Sequence, residues 1–305
     1  MKKIVLTAAN GFLGQHLLEH LSENYEILAL VRKAQAPKGR VRYAVWDGET
    51  PGDWQLELEG AYAVINLAGR SVDCRYTERN KRAIFDSRLN TTRLIGEAIE
   101  SCVEPPRIWL NAASATIYRH SLDIPMTEAA GEYGEGFSVD VCRQWERTFY
   151  EFAHPDLRQV ALRTTIVLGV DGGAFVPLLR LVKMGMGGTQ GRGDQMFSWI
   201  HIDDFCRAIE FILKNEVLSG PVNIGVPFPD HNRSLMRLLR KAYGRRFGLN
   251  LGSGLLKFGA RIIRTETELI VKSRYVVPEK LLQAGFEFQY ARLEEALPAL
   301  VKATK

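Results

Sequence analysis

The sequence predicts an α/β fold, a doubly wound parallel sheet followed by a smaller C-terminal α/β lobe. Three observations predict it. Short apolar runs alternate with helix-type stretches through the first half of the chain, a glycine-containing loop joins the first run to the first helix, and the alternation is lost after residue 168. Strands that alternate with helices form a parallel sheet that is covered by helices on both faces.

The elements follow from apolar spacing, taken in chain order. Buried strands are predicted for residues 4–7, 26–31, 42–46, 63–67, 108–111 and 159–163. Helices are predicted from residue 12 to 21, from 77 to 100 and around 139–152, where apolar side chains recur every three or four positions. Beyond these, residues 199–213 read as a strand and a helix, and 234–243 and 266–272 as further helices.

A domain border is predicted near residue 168. Residues 169–193 contain eight glycines and lack the alternation, which indicates a crossover into a second lobe. We therefore expect a nucleotide-binding domain over residues 1–168 and a small substrate lobe over 169–305. The strand and helix near residues 194–215 are expected to return to the first domain.

Composition and charge argue against several classes of partner, namely nucleic acids and membranes. The chain has 305 residues, 46% of them hydrophobic, and a net charge of +5 with scattered basic residues, which argues against nucleic-acid binding. No apolar run reaches the roughly 18 residues of a membrane span, so no membrane partner is expected. The four cysteines form no Cys-x-x-Cys pair, and a reducing, cytoplasmic location is expected. The oligomeric state is left open.

No metal site is predicted. His201, Asp203 and Asp204 include ligand types that metals use. The simpler interpretation is that one of the two aspartates caps the helix that begins there, with His201 on the preceding strand.

The loop after the first strand has the spacing of a phosphate-binding turn at a helix N-terminus. A glycine backbone lets a pyrophosphate approach the free N–H groups of the helix, as in Rossmann domains. The first glycine of the pattern is replaced by alanine, which we expect to keep a negative φ. The alternative is a plain strand-to-helix turn. The residues assigned to the cofactor are Ala8, Asn10, Gly11, Phe12, Leu13 and Gly14.

Arg32 and Lys33 follow the second strand, 18 positions after Gly14. Sites that prefer NAD usually have an acidic side chain here, which accepts hydrogen bonds from the ribose 2′-hydroxyl. A guanidinium can instead bind a 2′-phosphate through two parallel hydrogen bonds. NADP(H) is therefore predicted as the cofactor, with NAD(H) as the alternative if Arg32 is only a solvated surface residue.

Several segments resemble the extended short-chain dehydrogenases/reductases, in particular their atypical epimerase-like subgroup within the NAD(P)-dependent epimerase/dehydratase family. The resemblance covers positions 4 to about 290 and rests on residues 66–69, 87–88, 113–118, 145–146, 163–169, 197–204 and 222–225. It implies an NADP(H)-binding domain with a small C-terminal substrate lobe. It also implies further cofactor contacts at Asp47, Asn66, Leu67, Ala68, Gly69, Arg88, Ala112, Ala113, Ser114, Thr164, Thr165 and Ile166.

The catalytic pair of that superfamily is missing. Its members use a tyrosine four residues before a lysine on one helix face, because the lysine favours the phenolate that exchanges a proton with substrate. No lysine here has that tyrosine, and the corresponding stretch, residues 137–143, contains neither a phenol nor an amine. Ser114 and Tyr118 are the candidate catalytic residues that remain.

Two hypotheses follow. The first is an NADP(H)-dependent oxidoreductase or epimerase-like enzyme, with a small-molecule substrate between the lobes; Ser114 or Tyr118 handles the proton, or the substrate needs no strong base. The second is a sensor or scaffold that binds NADP(H) without turnover. The missing pair favours the second hypothesis, and the complete-looking substrate lobe favours the first.

Overall fold

The computed structural model describes residues 1–72, 74–252 and 272–304. Its strands, in chain order, are β1 Lys3–Thr7, β2 Glu26–Val31, β3 Val41–Val45, β4 Ala63–Asn66, β5 Ile108–Ser114, β6 Arg158–Thr164, β7 Ile166–Leu168, β8 Met196–Phe197, β9 Trp199–His201, β10 Gly220–Ile224 and β11 Asp230–His231. Its α-helices are α1 Phe12–Leu21, α2 Glu78–Glu100, α3 Phe137–Tyr150, α4 Phe175–Lys183, α5 Ile202–Lys214, α6 Asn232–Tyr243, α7 Glu279–Gln283 and α8 Leu293–Lys302.

The central sheet is parallel and seven-stranded, in the order β10-β6-β5-β4-β1-β2-β3. The prediction of a Rossmann-type α/β fold is confirmed. The chain reverses its direction across the sheet between β1 and β4, and ligands of such sheets bind outside the carboxyl ends of the strands at that point. The six strands predicted in the first half are all present, with bounds that differ by a few residues.

Helices cover both faces of the sheet, as the apolar spacing predicts. On one face, Leu17 and Leu21 of α1 share a core with Phe205 and Ile209 of α5. On the other face, α2 packs against α3, and the fully buried Trp109 of β5 lies edge-on to Phe149. Helices therefore shield both faces of the sheet from water, as expected for strands that are apolar on both sides.

The segment from 199 to 224 returns to the sheet. The predicted strand and helix are present as β9 and α5, and α5 packs on α1. β9 pairs with β7 rather than with the central sheet. The return extends further than the sequence predicts, because β10 pairs in parallel with β6 as the seventh strand.

The start of α5 differs from expectation. Its N-cap is His201, whose Nδ1 accepts a hydrogen bond of 3.1 Å from the Asp203 backbone N–H, so neither aspartate caps the helix. The fully buried Asp204 carboxylate instead accepts the backbone N–H groups of Gln289 and Tyr290, at 2.9 and 2.8 Å. This contact ties the C-terminal segment to α5.

A third core lies beyond the sheet. Side chains of α4, α6 and α8, among them Phe175, Leu239 and Leu297, form one buried cluster. The predicted helix at 266–272 lies outside the described residues, apart from Lys272. Within the described ranges, no helix has both the length and the apolar character needed to span a membrane.

Candidate nucleotide-binding cleft

An open cleft of about 1000 Å³ lies at the carboxyl ends of β1 to β4, beside the point where the sheet reverses. Of the residues that the sequence assigns to the cofactor, it is lined by Ala8, Asn10, Gly11, Arg32, Lys33, Asp47, Ala68 and Gly69. These residues come from four separate loops. The fold therefore brings two predicted features to one cavity. They are the phosphate-binding loop after β1, and the cations Arg32 and Lys33, which are predicted to distinguish NADP(H) from NAD(H) at the ribose 2′ position.

The loop from β1 to α1 forms a tight turn. The Gly11 N–H donates to the Ala8 carbonyl at 2.9 Å, and a Cβ on Gly14 would lie 2.2 Å from that same oxygen. No side chain caps α1 at Gly11, which leaves the N–H groups of its first turn available to an anion. These features fit a bound pyrophosphate.

Ala8 departs from expectation. Its φ is +53°, and among the described residues it alone has a positive φ without being glycine. The expectation of a negative φ was wrong because Gly14 packs directly against the Ala8 carbonyl and fixes the orientation of that peptide. An L-residue in this region carries a strain of about 1–2 kcal/mol.

Phe12 and Leu13 turn their side chains away from the cleft. The Phe12 ring fits a slot formed by Gly169, Gly172 and Gly173, where any Cβ would lie 3.1 Å or less from the ring. Leu13 packs on the core beneath α1. Only their backbone N–H groups are placed for a phosphate. Asn10 stays at the cleft and accepts a hydrogen bond from Gln35 at 3.3 Å.

The end of β2 presents two cations to the cleft. Arg32 and Lys33 are exposed, and no carboxylate of the described residues forms an ion pair with either. Asp47 faces the same cavity, but its carboxylate accepts the Thr50 hydroxyl at 2.7 Å and the N–H groups of Glu49 and Thr50 at 2.8 Å. These hydrogen bonds, with that of the Thr50 hydroxyl first, lower the pKa of Asp47 to about 2.

A buried polar chain shapes the turn of residues 66–69. The Asn66 side chain accepts from the Thr7 hydroxyl at 2.8 Å and donates to Asn111 at 2.7 Å. The Leu67 N–H donates to Thr7 and the Ala68 N–H to Asn66. Asn66 and Leu67 therefore build the turn, while Ala68 and Gly69 reach the cleft surface.

A second group of residues predicted to contact the cofactor lies at the ends of β5 and β6 and at the start of β7. Ala112, Ala113 and Ser114 end β5, and Ser114 is paired in register with Thr164 at the end of β6. The Ser114 hydroxyl accepts the Thr116 N–H at 3.2 Å, and that of Thr165 donates to the Ile224 carbonyl at 2.9 Å. Ile166, half-buried, begins β7. The structure thus brings these predicted residues together at neighbouring strand ends.

Tyr118 lies in a buried network beside this group. Its side chain has no exposed area; its hydroxyl donates to Asn223 at 2.9 Å and accepts from Arg163 at 2.8 Å. Burial raises the pKa of Tyr118. Arg163 also makes two parallel hydrogen bonds to Glu146, at 2.8 and 2.7 Å. These surroundings argue against Tyr118 as a proton donor to a substrate.

Arg88 lies beside the turn of residues 66–69 and does not line the open cleft. Its guanidinium stacks over Trp145 at 5.0 Å, donates to the Ile84 carbonyl at 3.1 Å and lies close to Gly69. Burial lowers the pKa of Arg88. Sequence alone did not place it against these partners.

One wall of the cleft was not predicted. It is formed by α2 residues that recur at helical spacing, namely Ala83, Asp86, Ser87, Asn90 and Thr91. Their spacing of three or four positions was a signal that one face of this helix is turned to a common partner. No group of three or more metal-ligating His, Cys, Asp or Glu side chains occurs in the described part of the chain.

Comparison with known families gives two matches. A model described as the NAD dependent epimerase/dehydratase family matches residues 4–225, and one described as a domain of unknown function, DUF1731, matches residues 255–300. Epimerase family protein YfhF of Bacillus subtilis is 32% identical over 307 residues, covering 99% of each chain. An epimerase family protein of Staphylococcus epidermidis is 30% identical, covering 99% of this chain and 100% of its own.

Two solved structures match nearly the whole length of this chain. The human epimerase family protein SDR39U1, solved with NADPH, has a TM-score of 0.86 at 26% identity and covers 98% of this chain and 99% of its own. A nucleoside-diphosphate sugar epimerase from Corynebacterium glutamicum has a TM-score of 0.77 at 26% identity, covering 98% of this chain and 58% of its own.

Proposed function

Because the chain belongs to the NAD dependent epimerase/dehydratase family, we propose that it is an NADP(H)-dependent oxidoreductase or epimerase-like enzyme. Its substrate is a small molecule held between the end of the sheet and the C-terminal lobe. The bound cofactor supplies or accepts a hydride. The chain itself binds and orients the two reactants and moves the proton that accompanies the hydride.

The observation that carries the choice of NADP(H) is the pair of cations at the end of β2. Arg32 and Lys33 line the cleft where a discriminating carboxylate would stand, and their charges are not neutralised by the described carboxylates. A 2′-phosphate offers the oxygen geometry that a guanidinium binds through two parallel hydrogen bonds. The NADPH in the human relative supports the same choice.

The remaining contacts are assigned by position. Gly11 and the first turn of α1 hold the pyrophosphate, with Ala8, Asn10, Phe12, Leu13 and Gly14 shaping that turn. Asp47 lies by the adenine, residues 66–69 line the middle of the dinucleotide, and Arg88 supports them from the side. Ala112 to Ser114 and Thr164 to Ile166 face the nicotinamide.

Calorimetry with the variant Arg32→Ala tests the cofactor assignment. Loss of charge-assisted hydrogen bonds to a phosphate is worth about 1.5–3 kcal/mol, so NADPH affinity falls about 10- to 100-fold while NADH affinity changes little. Lys38→Ala, an exposed cation that does not line the cleft, is the matched control and leaves both affinities near those of the parent. Equal losses for the two nucleotides in Arg32→Ala would overturn the assignment.

Turnover is tested separately. Purified protein is given NADPH and a panel of carbonyl compounds and nucleotide sugars, and the NADPH absorbance is followed. Oxidation of NADPH by at least one compound supports the enzyme. Tight NADPH binding with no oxidation by any of them would favour a sensor instead.

A further inference from the structure

Two segments in the C-terminal half of the chain contain no acidic residue, namely residues 172–193 and 231–252. They contain nine of the 40 lysines and arginines and none of the 35 aspartates and glutamates. Without these nine cations the chain would have fewer basic than acidic residues. The net charge of +5 is therefore due to two short stretches, although basic residues occur throughout the sequence.

The fold joins these two segments at one surface. α4 and α6 share a core, and the chain after α6 pairs with the loop after α4. The Leu249 N–H donates to the Gly185 carbonyl at 2.9 Å, and the Arg240 guanidinium donates to the Gly187 carbonyl. We call the joined stretches the basic corner, which consists of residues 183–191 and 240–251.

The basic corner has five cations that no described carboxylate neutralises. None of them forms an ion pair with a carboxylate of residues 1–72, 74–252 and 272–304. One is half-buried and the other four are exposed. The five are Arg240, which is the half-buried one, and Lys183, Lys241, Arg245 and Arg246. Arg237, exposed one turn before Lys241 on the same face of α6, extends this positive surface.

Exposed apolar side chains lie among these cations. Met184, Phe247 and Leu249 are 61%, 88% and 72% exposed. Met184 precedes Gly185, whose carbonyl accepts the Leu249 N–H, and Phe247 directly follows Arg246. Clustered apolar side chains on the surface of a folded chain mark a site that contacts a partner. The corner therefore presents positive charge and apolar side chains to the same partner.

An anionic lipid bilayer has both complementary features. Its phosphates attract cations, and its acyl boundary accepts apolar side chains. A nucleic acid offers phosphates too, but its bases stack on aromatic rings, and two of the three apolar side chains here are aliphatic. We propose that the basic corner binds the surface of membranes that contain anionic phospholipid, with Met184, Phe247 and Leu249 entering the interface.

The sequence gave no expectation of a membrane partner because no apolar run is long enough to span a bilayer. Binding at the surface needs no such run. The basic corner does not line the nucleotide cleft either, so the proposal is independent of the proposed function. Loss of the NADP(H) assignment would leave it intact, and its own failure would leave that assignment intact.

Co-sedimentation of the full chain with vesicles tests the proposal. One set of vesicles is phosphatidylcholine, and the other contains equal parts of phosphatidylcholine and phosphatidylglycerol. We expect binding to the anionic vesicles, weakened by added salt, and little binding to the neutral ones. Equal binding to both sets, or no binding to the anionic set, would overturn the proposal.

A charge variant locates the binding surface. Each Lys or Arg close to an anionic bilayer raises the affinity about fivefold, so Arg245→Gln/Arg246→Gln is expected to weaken binding to the anionic vesicles about 30-fold. Arg79→Gln/Arg82→Gln, on the exposed side of α2, changes the net charge equally and is the matched control that binds like the parent. Equal losses in the two double variants would refute the assignment to this corner.

An apolar variant tests entry into the interface. Phe247→Ser/Leu249→Ser is expected to weaken vesicle binding about 10-fold or more, because two apolar side chains no longer leave water. Leu56→Ser/Val103→Ser, at two other exposed apolar positions, is the control that binds like the parent. If Phe247→Ser/Leu249→Ser lowers the free energy of unfolding but not the vesicle affinity, these side chains pack within the protein and the proposal is wrong.

Two measurements on the parent need no variant. Hydrogen exchange with and without anionic vesicles is expected to show protection of peptides from residues 183–191 and 240–251; protection confined to other peptides would contradict the proposal. Binding to duplex DNA is compared at equal phosphate concentration. Tighter binding to DNA than to the anionic vesicles would replace the membrane with a nucleic acid as the partner.

Discussion

Two arginines, the buried Arg163 of β6 and the half-buried Arg88 of α2, differ in how the protein balances their charge. Arg163 meets the Glu146 carboxylate at 2.8 and 2.7 Å and is also bonded to the hydroxyls of Tyr118 and Tyr133. Arg88 is bonded to one carbonyl and stacked on Trp145. The charge of Arg163 is balanced by a carboxylate, whereas the charge of Arg88 is not balanced by any carboxylate of the described residues.

The pKa shifts of the two groups express this difference. Burial alone would lower the pKa of Arg163, but the hydrogen bonds and charge of Glu146 outweigh it and raise the pKa above its usual value. For Arg88 burial prevails, and the pKa is lowered. The positive φ of Ala8, in the loop between β1 and α1 that lines the cleft, is a second energetic cost. Costs of this kind collect at sites that bind ligands.

The largest expected effect comes from removing the carboxylate that balances the charge of Arg163. Glu146→Ala leaves Arg163 buried without its carboxylate, and we expect the free energy of unfolding to fall by about 3–5 kcal/mol in urea titrations. The double variant Glu146→Ala/Arg163→Met, which removes both charges, recovers part of that loss. If Glu146→Ala is as stable as the parent, the contrast between the two guanidiniums has no energetic meaning.

The next largest expected effect is a gain in stability from a substitution in the loop between β1 and α1. Ala8→Gly removes the strain of the positive φ, partly offset by the entropy of a glycine in the unfolded chain, and we expect the free energy of unfolding to rise by about 0.5–1 kcal/mol. Ala9→Gly, at the adjacent position with a negative φ, is the matched control and destabilises. A loss of stability in Ala8→Gly would show that the loop is unstrained.

The smallest expected effect is at Arg88 itself. Arg88→Met loses the hydrogen bond to Ile84 but also removes the cost of a desolvated charge, so the free energy of unfolding changes by less than about 1 kcal/mol. Urea unfolding of Arg88→Met and of Glu146→Ala, measured under the same conditions, compares the two losses of stability directly. A loss as large as that of Glu146→Ala would mean that Arg88 serves the fold after all.

Local signals in the sequence suffice to predict several of the residues that line the cleft. The β1 strand, the Gly11 turn and the start of α1 are contiguous, and Arg32 follows β2 directly, so spacing alone places them. The conformation of Ala8 was not predictable from these signals, because it is imposed by the contact with Gly14. The seventh strand was also missed, because β10 begins at Gly220 and Pro221, which are poor strand formers.

Other parts of the candidate site depend on contacts between distant residues. Tyr118 is near Ser114 in sequence, yet its hydroxyl turns toward Asn223, which is 105 positions away. Tyr76 reaches Ser138 across 62 positions. Neither contact follows from helical or strand periodicity. A motif therefore predicts the residues of the cleft, and only the folded chain showed that Tyr118 is buried and that Tyr76 contacts Ser138.

The position of β10 at the edge of the sheet has a consequence for folding during synthesis. β1 to β6 are complete once the ribosome has passed residue 164, but their outer strand, β6, gains its neighbour only when residues 220–224 emerge. Until then β6 exposes its backbone as an open edge, and Tyr118 lacks the Asn223 acceptor. We therefore expect a nascent chain halted between these points to be more prone to aggregation than the full-length chain.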